Sequence, residues 1–201
     1  MLRSIATAAL LSIAVAAGPA LAAPEAGKPA PDFSGTDTAG KTWSLAELKG
    51  TPVILEWTNH DCPYVVKHYD AGNMRALQQE ATGAGYTWLS VISSAPGKQG
   101  HVSAAQADAL TKSRDAAPSA VLLDEDGSIG KAYAARTTPH MFVIDKEGVL
   151  VYMGGIDDKA TTDKADIDGA ENYVRLAMAD LAAGNPVGQA VTRPYGCSVK
   201  Y

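Results

Sequence analysis

Along the first half of the chain, continuous apolar runs alternate with segments in which apolar residues follow helical spacing. The continuous apolar run in "TPVILEW" (51–57) is typical of a strand buried on both faces. From Pro63 the apolar residues follow helical spacing, which predicts one helix running to about Glu80. "GYTWLSVISS" (85–94) predicts a second buried strand, and "SAAQADALTKSRD" (103–115) predicts the next helix.

The second half continues the alternation and then changes it. "SAVLLD" (119–124) predicts a strand and "SIGKAYAA" (128–135) a short helix. "TTPHMFVIDKEGVLVYMGGID" (137–157) predicts two strands joined by a tight turn, and "IDGAENYVRLAMADLAAG" (167–184) predicts the last helix. Together with a hairpin in "FSGTDTAGKTWSL" (33–45), this order predicts an α/β sandwich around a mixed sheet.

The first 22 residues have the pattern of an export signal. Arg3 precedes an apolar run too short to span a membrane, and the small residues Ala20-Leu21-Ala22 follow. We therefore expect a signal peptide over 1–22, cleavage after Ala22, and a periplasmic or secreted protein that is no longer held in the membrane.

The rest of the chain has the length of one domain. We expect a domain over 23–185 and a tail over 186–201. The whole chain has 17 basic and 22 acidic residues, with a formal net charge of −5. A mildly acidic chain without a basic run argues against nucleic acid or an anionic membrane as a partner.

Cys62 is one of only two cysteines, and it stands where the first buried strand gives way to a helix. Pro63 suits the first position of that helix, so Cys62 would be the N-cap, facing the positive end of the helix dipole. This environment favours the nucleophilic thiolate, whereas the carboxylate of Asp61 opposes it. His60 is a candidate acid or base beside the sulfur. An inert buried cysteine and a solvated loop histidine are the simpler alternatives.

Pro139 opens the strand in "TTPHMFVID" (137–145). Proline removes a ladder donor, so it belongs at a strand's first residue or on an edge, and a cis peptide bond after Thr138 suits that position. An ordinary loop-to-strand proline is the alternative.

The stretches "GKPAPDFSGTDTAGKTWSLAELKGTPVILEW", the following "CP" and "TTPHMFVIDKEGVLVYMGG" resemble the thioredoxin superfamily, in its redoxin or alkyl hydroperoxide reductase/thiol-specific antioxidant branch. The resemblance covers about residues 27–183. It implies a thioredoxin-like fold, with helices on both faces of a mixed sheet, an N-terminal hairpin extension and a C-terminal tail. It also implies that Cys62 is the reactive thiol, and that Thr138 and Pro139 form the groove for an extended thiol substrate.

The chain departs from both standard activities of this superfamily. A thioredoxin dithiol has the pattern C-x-x-C, but here Cys62 is followed by Pro63, Tyr64 and Val65. Peroxiredoxins carry threonine three residues before the cysteine and proline seven before, where this chain has Asn59 and Leu55. Pro139 stands where peroxiredoxins carry an arginine, and Arg136 is only nearby.

Cys197 lies in the polar stretch "TRPYGCSVKY" (192–201), which could fold back over Cys62. A bridge between the two would close a loop of about 135 residues and stabilise the fold by about 5 kcal/mol before strain. It would be either a permanent staple or the resolving half of a redox cycle, in which Cys197 attacks to release what Cys62 has bound. The sequence leaves both open, together with no bridge at all.

We therefore expect an exported thiol-disulfide oxidoreductase or antioxidant protein with catalytic Cys62 and Cys197. Its partners would be a thiol or hydroperoxide substrate and a thiol electron donor. The alternatives are a peroxiredoxin-like thiol peroxidase and a non-catalytic binding module with a structural bridge. We expect no cofactor and no metal, because the cysteine and histidine spacing fits no ligand template.

Overall fold

The computed structural model describes residues 23–201. The expected signal peptide, 1–22, lies outside the described residues. Within 23–201, the helices all fall short of the length and apolar character that crossing a bilayer requires.

The described chain forms nine strands and five α-helices. The strands are β1 (Ser34–Thr36), β2 (Thr42–Ser44), β3 (Val53–Trp57), β4 (Thr87–Ile92), β5 (Ala120–Leu123), β6 (Thr137–Thr138), β7 (His140–Ile144), β8 (Leu150–Gly154) and β9 (Cys197–Ser198). The helices are α1 (Pro63–Asp70), α2 (Asn73–Gly83), α3 (Ala104–Ser113), α4 (Ser128–Ala132) and α5 (Tyr173–Ala182). Short 3-10 turns cover Ala46–Leu48 and Lys164–Asp166.

The central sheet has five strands in the order β5-β4-β3-β7-β8. β3, β4 and β5 are parallel, whereas β7 runs antiparallel to both β3 and β8. Every residue of β3 and β7 is buried, as expected of continuous apolar runs at the centre of a covered sheet. The mixed sheet predicted from the sequence is confirmed.

Helices cover both faces of this sheet. On one face α1, α2 and α5 contribute Val65, Leu77 and Val174 to a core cluster. On the other face α4 and the β1–β2 hairpin pack on a cluster that includes Trp57 and Phe142, whose ring centroids are 5.1 Å apart. This architecture is the thioredoxin-like fold.

Two helix predictions need correction. The single helix expected from Pro63 to Glu80 is two helices, because Gly72 adopts a left-handed conformation (φ 73°) between α1 and α2. The last helix begins at Tyr173 rather than near Ile167, because the side chain of Asn172 caps it by accepting a hydrogen bond from the N–H of Arg175.

The C-terminal tail lies against the domain. Val191 forms a bridge with Met153 of β8, and β9 pairs with β6. At the end of the tail, Lys200 forms a bridge with Ser94, and the Tyr201 hydroxyl donates a hydrogen bond to the carbonyl oxygen of Ala135. The tail thus crosses the edge of the domain where β3 ends and α1 begins.

Candidate active site

The end of β3 and the start of α1 hold Cys62. Pro63 occupies the first turn of α1, and Cys62 is the N-cap with φ −79° and ψ 120°, as predicted. The loop before it is shaped by Asn59, whose side-chain oxygen accepts from the N–H of Asp61 at 2.9 Å and whose carbonyl accepts from the N–H of Cys62 at 3.1 Å. Asn59 is itself buried and fits closely against Gly100.

The sulfur of Cys62 faces the segment that holds the cis-proline. The Thr138–Pro139 peptide bond is cis. The thiol of Cys62 donates a hydrogen bond to the carbonyl oxygen of Thr138, with 3.0 Å between Sγ and O. The structure thus brings Cys62, Thr138 and Pro139 together at one site.

The tail brings Cys197 to the same place. β6 and β9 pair antiparallel, with Thr138 opposite Cys197. The backbone N–H of Cys197 donates to Sγ of Cys62 at 3.4 Å. Gly196 permits this approach, since a Cβ there would lie only 2.0 Å from the Thr138 carbonyl oxygen. Both cysteines are free thiols in this structure, and Cys62 is completely buried whereas Cys197 is partly exposed.

The surroundings of the two thiols shift their pKa values in opposite directions. Burial by itself raises the pKa of Cys62, but hydrogen bonds from the side chain and backbone of Cys197 bring its pKa below the ordinary value. Burial also raises the pKa of Cys197, to about 11, and the hydrogen bond and charge of Cys62 act in the same direction. Of the two thiols, Cys62 therefore loses its proton more readily and Cys197 holds its proton more tightly.

Two details qualify this balance. The Thr138 carbonyl oxygen can only accept a hydrogen bond, so its direct contact with Sγ favours the protonated thiol of Cys62. The sulfur also makes no capping hydrogen bond with a helix N–H, although the N–H of Val65 contributes to lowering the pKa. The hydrogen bonds from Cys197 in the tail therefore lower the pKa of Cys62 more than the N–H of Val65 at the helix end does.

A polar cluster anchors the tail two residues before Cys197. The Tyr195 hydroxyl donates to Oδ1 of Asp157 and lies 3.2 Å from Nε2 of His68 in α1. Nδ1 of His68 accepts from the side chain of Asn73 at 2.9 Å. Burial lowers the pKa of His68 to about 3, with a further contribution from the charge of Lys67, so the imidazole is neutral. This cluster fixes the tail to the helix that carries Cys62.

The predicted candidate His60 lies near the site but faces another way. Its Nε2 is 3.3 Å from Oδ1 of Asp61, and its carbonyl oxygen accepts from the Arg114 guanidinium at 3.0 Å. Among the described residues, the hydrogen bonds of the Cys62 sulfur involve only Thr138 and Cys197. A chemical role for His60 stays a prediction.

Sequence reasoning missed the residues that hold these groups in place. Asn59, Arg114, Asp157 and Tyr195 are scattered over more than 130 positions, and each is an ordinary polar or aromatic residue of a loop or helix end. Only the fold brings them around Cys62. Across 23–201, His, Cys, Asp and Glu side chains do not gather in threes as a metal site would require.

The chain is similar to known proteins in sequence and in fold. A family model described as Redoxin matches residues 25–171. A hypothetical protein from Sinorhizobium meliloti 1021 is 25% identical with a TM-score of 0.71, covering 90% of this chain and 96% of its own. An uncharacterized conserved protein from Geobacillus kaustophilus is 24% identical with a TM-score of 0.72, covering 88% and 92%.

A more distant structure is described as a secreted Mycobacterium tuberculosis disulfide oxidoreductase homologous to E. coli DsbE. It is 17% identical with a TM-score of 0.50, and the alignment covers 68% of this chain and 92% of the other. No match is found among curated proteins. The family model, which spans most of the described chain, identifies the family, and the solved structures agree with it in fold.

Proposed function

Because the chain belongs to the redoxin family, a family of thioredoxin-like redox proteins, we propose that it is a thiol-disulfide oxidoreductase whose redox couple is Cys62 and Cys197. One observation carries the proposal: the N–H of Cys197 is 3.4 Å from the sulfur of Cys62, opposite the cis-proline segment. The two thiols are 135 positions apart in sequence. The tail thus supplies the second thiol that a C-x-x-C motif would supply locally.

The lowered pKa of Cys62 and the raised pKa of Cys197 suit this couple. In the intramolecular step, the thiolate of one cysteine attacks the sulfur of the other when that sulfur carries a mixed disulfide. The S–S bond to the external group breaks, that group leaves as a thiolate, and a Cys62–Cys197 disulfide forms. Two further thiols reduce this disulfide and complete the cycle, so the partners are a disulfide or thiol substrate and a thiol electron donor.

Equilibration with glutathione buffers tests the couple. We expect one reversible two-electron transition between a dithiol and a Cys62–Cys197 disulfide, located by mass spectrometry after thiol labelling. Cys62→Ala and Cys197→Ala should each abolish it. A wild-type protein that forms no internal disulfide would contradict the proposal, and one whose disulfide resists every glutathione buffer would support a structural staple.

The peroxidase alternative is tested in parallel. The described hydrogen bonds to the Cys62 sulfur include no arginine or threonine side chain, so peroxide activation lacks the donors expected of a peroxiredoxin. We expect the rate of insulin reduction, or of thiol oxidation, to be higher than the rate at which the protein's cysteines consume hydrogen peroxide. The opposite ranking would favour an antioxidant peroxidase.

Export is part of the same proposal. It rests on the signal-like pattern of residues 1–22, and the Mycobacterium protein is described as secreted. An oxidising compartment would allow the Cys62–Cys197 disulfide to persist. Expression of the full chain in a Gram-negative host, followed by fractionation and N-terminal sequencing, should give a periplasmic protein that begins at Ala23. An uncleaved cytoplasmic product would contradict export.

A further inference from the structure

We propose that Cys197, not Cys62, is the sulfur that exchanges with external thiols and disulfides, and that Cys62 acts behind it as the leaving and resolving sulfur. This inference rests on the proposed Cys62–Cys197 couple. It reverses the roles that the sequence suggested, in which Cys62 takes the external group.

Access to the two sulfurs is the first argument. The side chain of Cys62 has no exposed surface, whereas Cys197 is partly exposed on the tail. The tail itself forms the cover, because β9 occupies the edge of Thr137–Thr138 that an extended substrate would otherwise use. An external thiolate must approach a disulfide along the S–S axis, and access decides which sulfur it attacks. With the tail in place, Cys197 is the partly exposed residue of the pair.

The quality of the leaving group is the second argument. Attack on Cys197 expels Cys62, whose thiolate receives the N–H of Cys197 and has the lower pKa of the pair. Attack on Cys62 would instead expel Cys197, whose pKa burial raises even when Cys62 carries no charge. A thiol of lower pKa leaves faster. Access and leaving-group quality therefore favour the same sulfur.

The steps balance for a dithiol substrate. The first substrate thiolate attacks Sγ of Cys197, the Cys62–Cys197 bond breaks, and its electron pair remains on Cys62 as a thiolate. The second substrate thiol, after losing its proton, attacks the substrate sulfur of the mixed disulfide and releases Cys197, which takes up a proton. The substrate is oxidised to its disulfide and the protein is reduced to its dithiol. In the reverse direction Cys197, after losing its proton to solvent, attacks a substrate disulfide and releases one substrate thiolate. The Cys62 thiolate then attacks Sγ of Cys197, releases the second substrate thiolate and re-forms the Cys62–Cys197 disulfide.

A timed trapping experiment tests the order of attack. The wild-type protein is oxidised with diamide, mixed with reduced glutathione and stopped at early times in a denaturing quench that contains N-ethylmaleimide. Peptide mass spectrometry then locates the glutathione and the maleimide. We expect glutathione on Cys197 and maleimide on Cys62, in at least about tenfold excess over the reverse pattern.

The outcomes separate this inference from the proposed function. Glutathione mainly on Cys62, or equally on both cysteines, would overturn the inference and leave the redox couple standing. Failure of diamide to form any Cys62–Cys197 disulfide would overturn both.

Two tail variants test the cause. Gly196→Ala places a Cβ against the Thr138 carbonyl and should lift β9 from β6, so that the share of glutathione on Cys62 rises. Gly188 lies in the same tail, and a Cβ added there would lie at an ordinary contact distance, 3.7 Å, from Oδ2 of Asp180. Gly188→Ala should therefore keep the wild-type ratio of glutathione on the two cysteines. Hydrogen exchange shows whether β9 still pairs with β6 in Gly196→Ala. If the pairing is lost but the ratio of glutathione on the two cysteines is unchanged, the tail does not decide which sulfur is attacked.

Discussion

The backbone N–H of Cys197, in the C-terminal tail, donates to the sulfur of Cys62 from 3.4 Å. The tail therefore supplies both the second thiol and a hydrogen bond that stabilises the first as a thiolate. The pKa of Cys62 consequently depends on a residue 135 positions away.

This dependence predicts a change in the titration of Cys62. In Cys197→Ala the thiol hydrogen bond is lost while α1 still buries the sulfur, so the pKa of Cys62 should rise. In Cys62→Ala the pKa of Cys197 should fall from about 11, because the hydrogen bond and charge that raise it are removed. Ultraviolet thiolate absorbance against pH measures both values. A Cys62 pKa that is unchanged in Cys197→Ala would show that the thiol of Cys197 does not tune it.

The anchor of the tail gives a second prediction. Tyr195→Phe removes the hydroxyl that donates to Asp157 and contacts His68, which should cost about 1–3 kcal/mol of stability. The tail should open more often, so a thiol reagent should modify Cys62 faster. Tyr201→Phe is the matched control. The Tyr201 hydroxyl also anchors the tail, by donating to the carbonyl oxygen of Ala135, but it lies in the part of the tail that follows Cys197. Equal labelling rates in both variants would argue against a special role for the Tyr195 anchor.

Much of the fold was predictable because burial on both faces leaves a local signal. The runs that became β3, β4 and β7 are mostly apolar, and the loop-to-helix junction at Cys62 carries a proline at the right position. The break at Gly72 was not predicted, because the apolar spacing continues through it. Glycine there permits the left-handed turn without removing the helical pattern on either side.

Less of the site was predictable. Cys62 and Pro139 stand at recognisable positions in their elements, whereas Tyr195 and Asp157 matter only through contacts made across the fold. Glu56 shows the same limit. It lies in the middle of an apolar strand and is completely buried, yet nothing adjacent in sequence identifies its partners.

Those partners give a third prediction. The carboxylate of Glu56 accepts hydrogen bonds from four buried donors, which are supplied by Tyr69, Gln78, Trp88 and Ser90. Glu56→Ala leaves these donors without their acceptor and should lower the free energy of unfolding by roughly 3 kcal/mol or more. Glu147→Ala, at an exposed turn, should change it little. Urea unfolding checks both variants, and a similar small loss in each would contradict the buried network's role.

The two buried histidines give a fourth prediction, on acid stability. Burial lowers the pKa of both His68 and His140 to about 3, against 6.5 for an unperturbed histidine. The unfolded chain therefore binds more protons than the folded one between about pH 6.5 and 3. Stability should fall as the pH falls through this window, by about 1.4 kcal/mol per pH unit for each histidine. In His68→Gln the slope of the unfolding free energy against pH should be shallower by the contribution of one histidine, about 1.4 kcal/mol per pH unit. An unchanged slope would show that His68 does not contribute to the loss of stability in acid.

Gly196 gives the last prediction, because the close pairing of tail and domain depends on its lack of a side chain. Its φ is 133°, and an added Cβ would lie 2.0 Å from the Thr138 carbonyl oxygen, which is backbone and cannot yield as a flexible side chain could. In reduced Gly196→Ala, β9 should therefore separate from β6, and the hydrogen bond from Cys197 to Cys62 should be lost. Diamide should form the internal disulfide more slowly, and hydrogen exchange should show the loss of β6–β9 pairing. In Gly188→Ala both quantities should match the wild type, and a wild-type rate of disulfide formation in Gly196→Ala would show that β6–β9 pairing does not position Cys197.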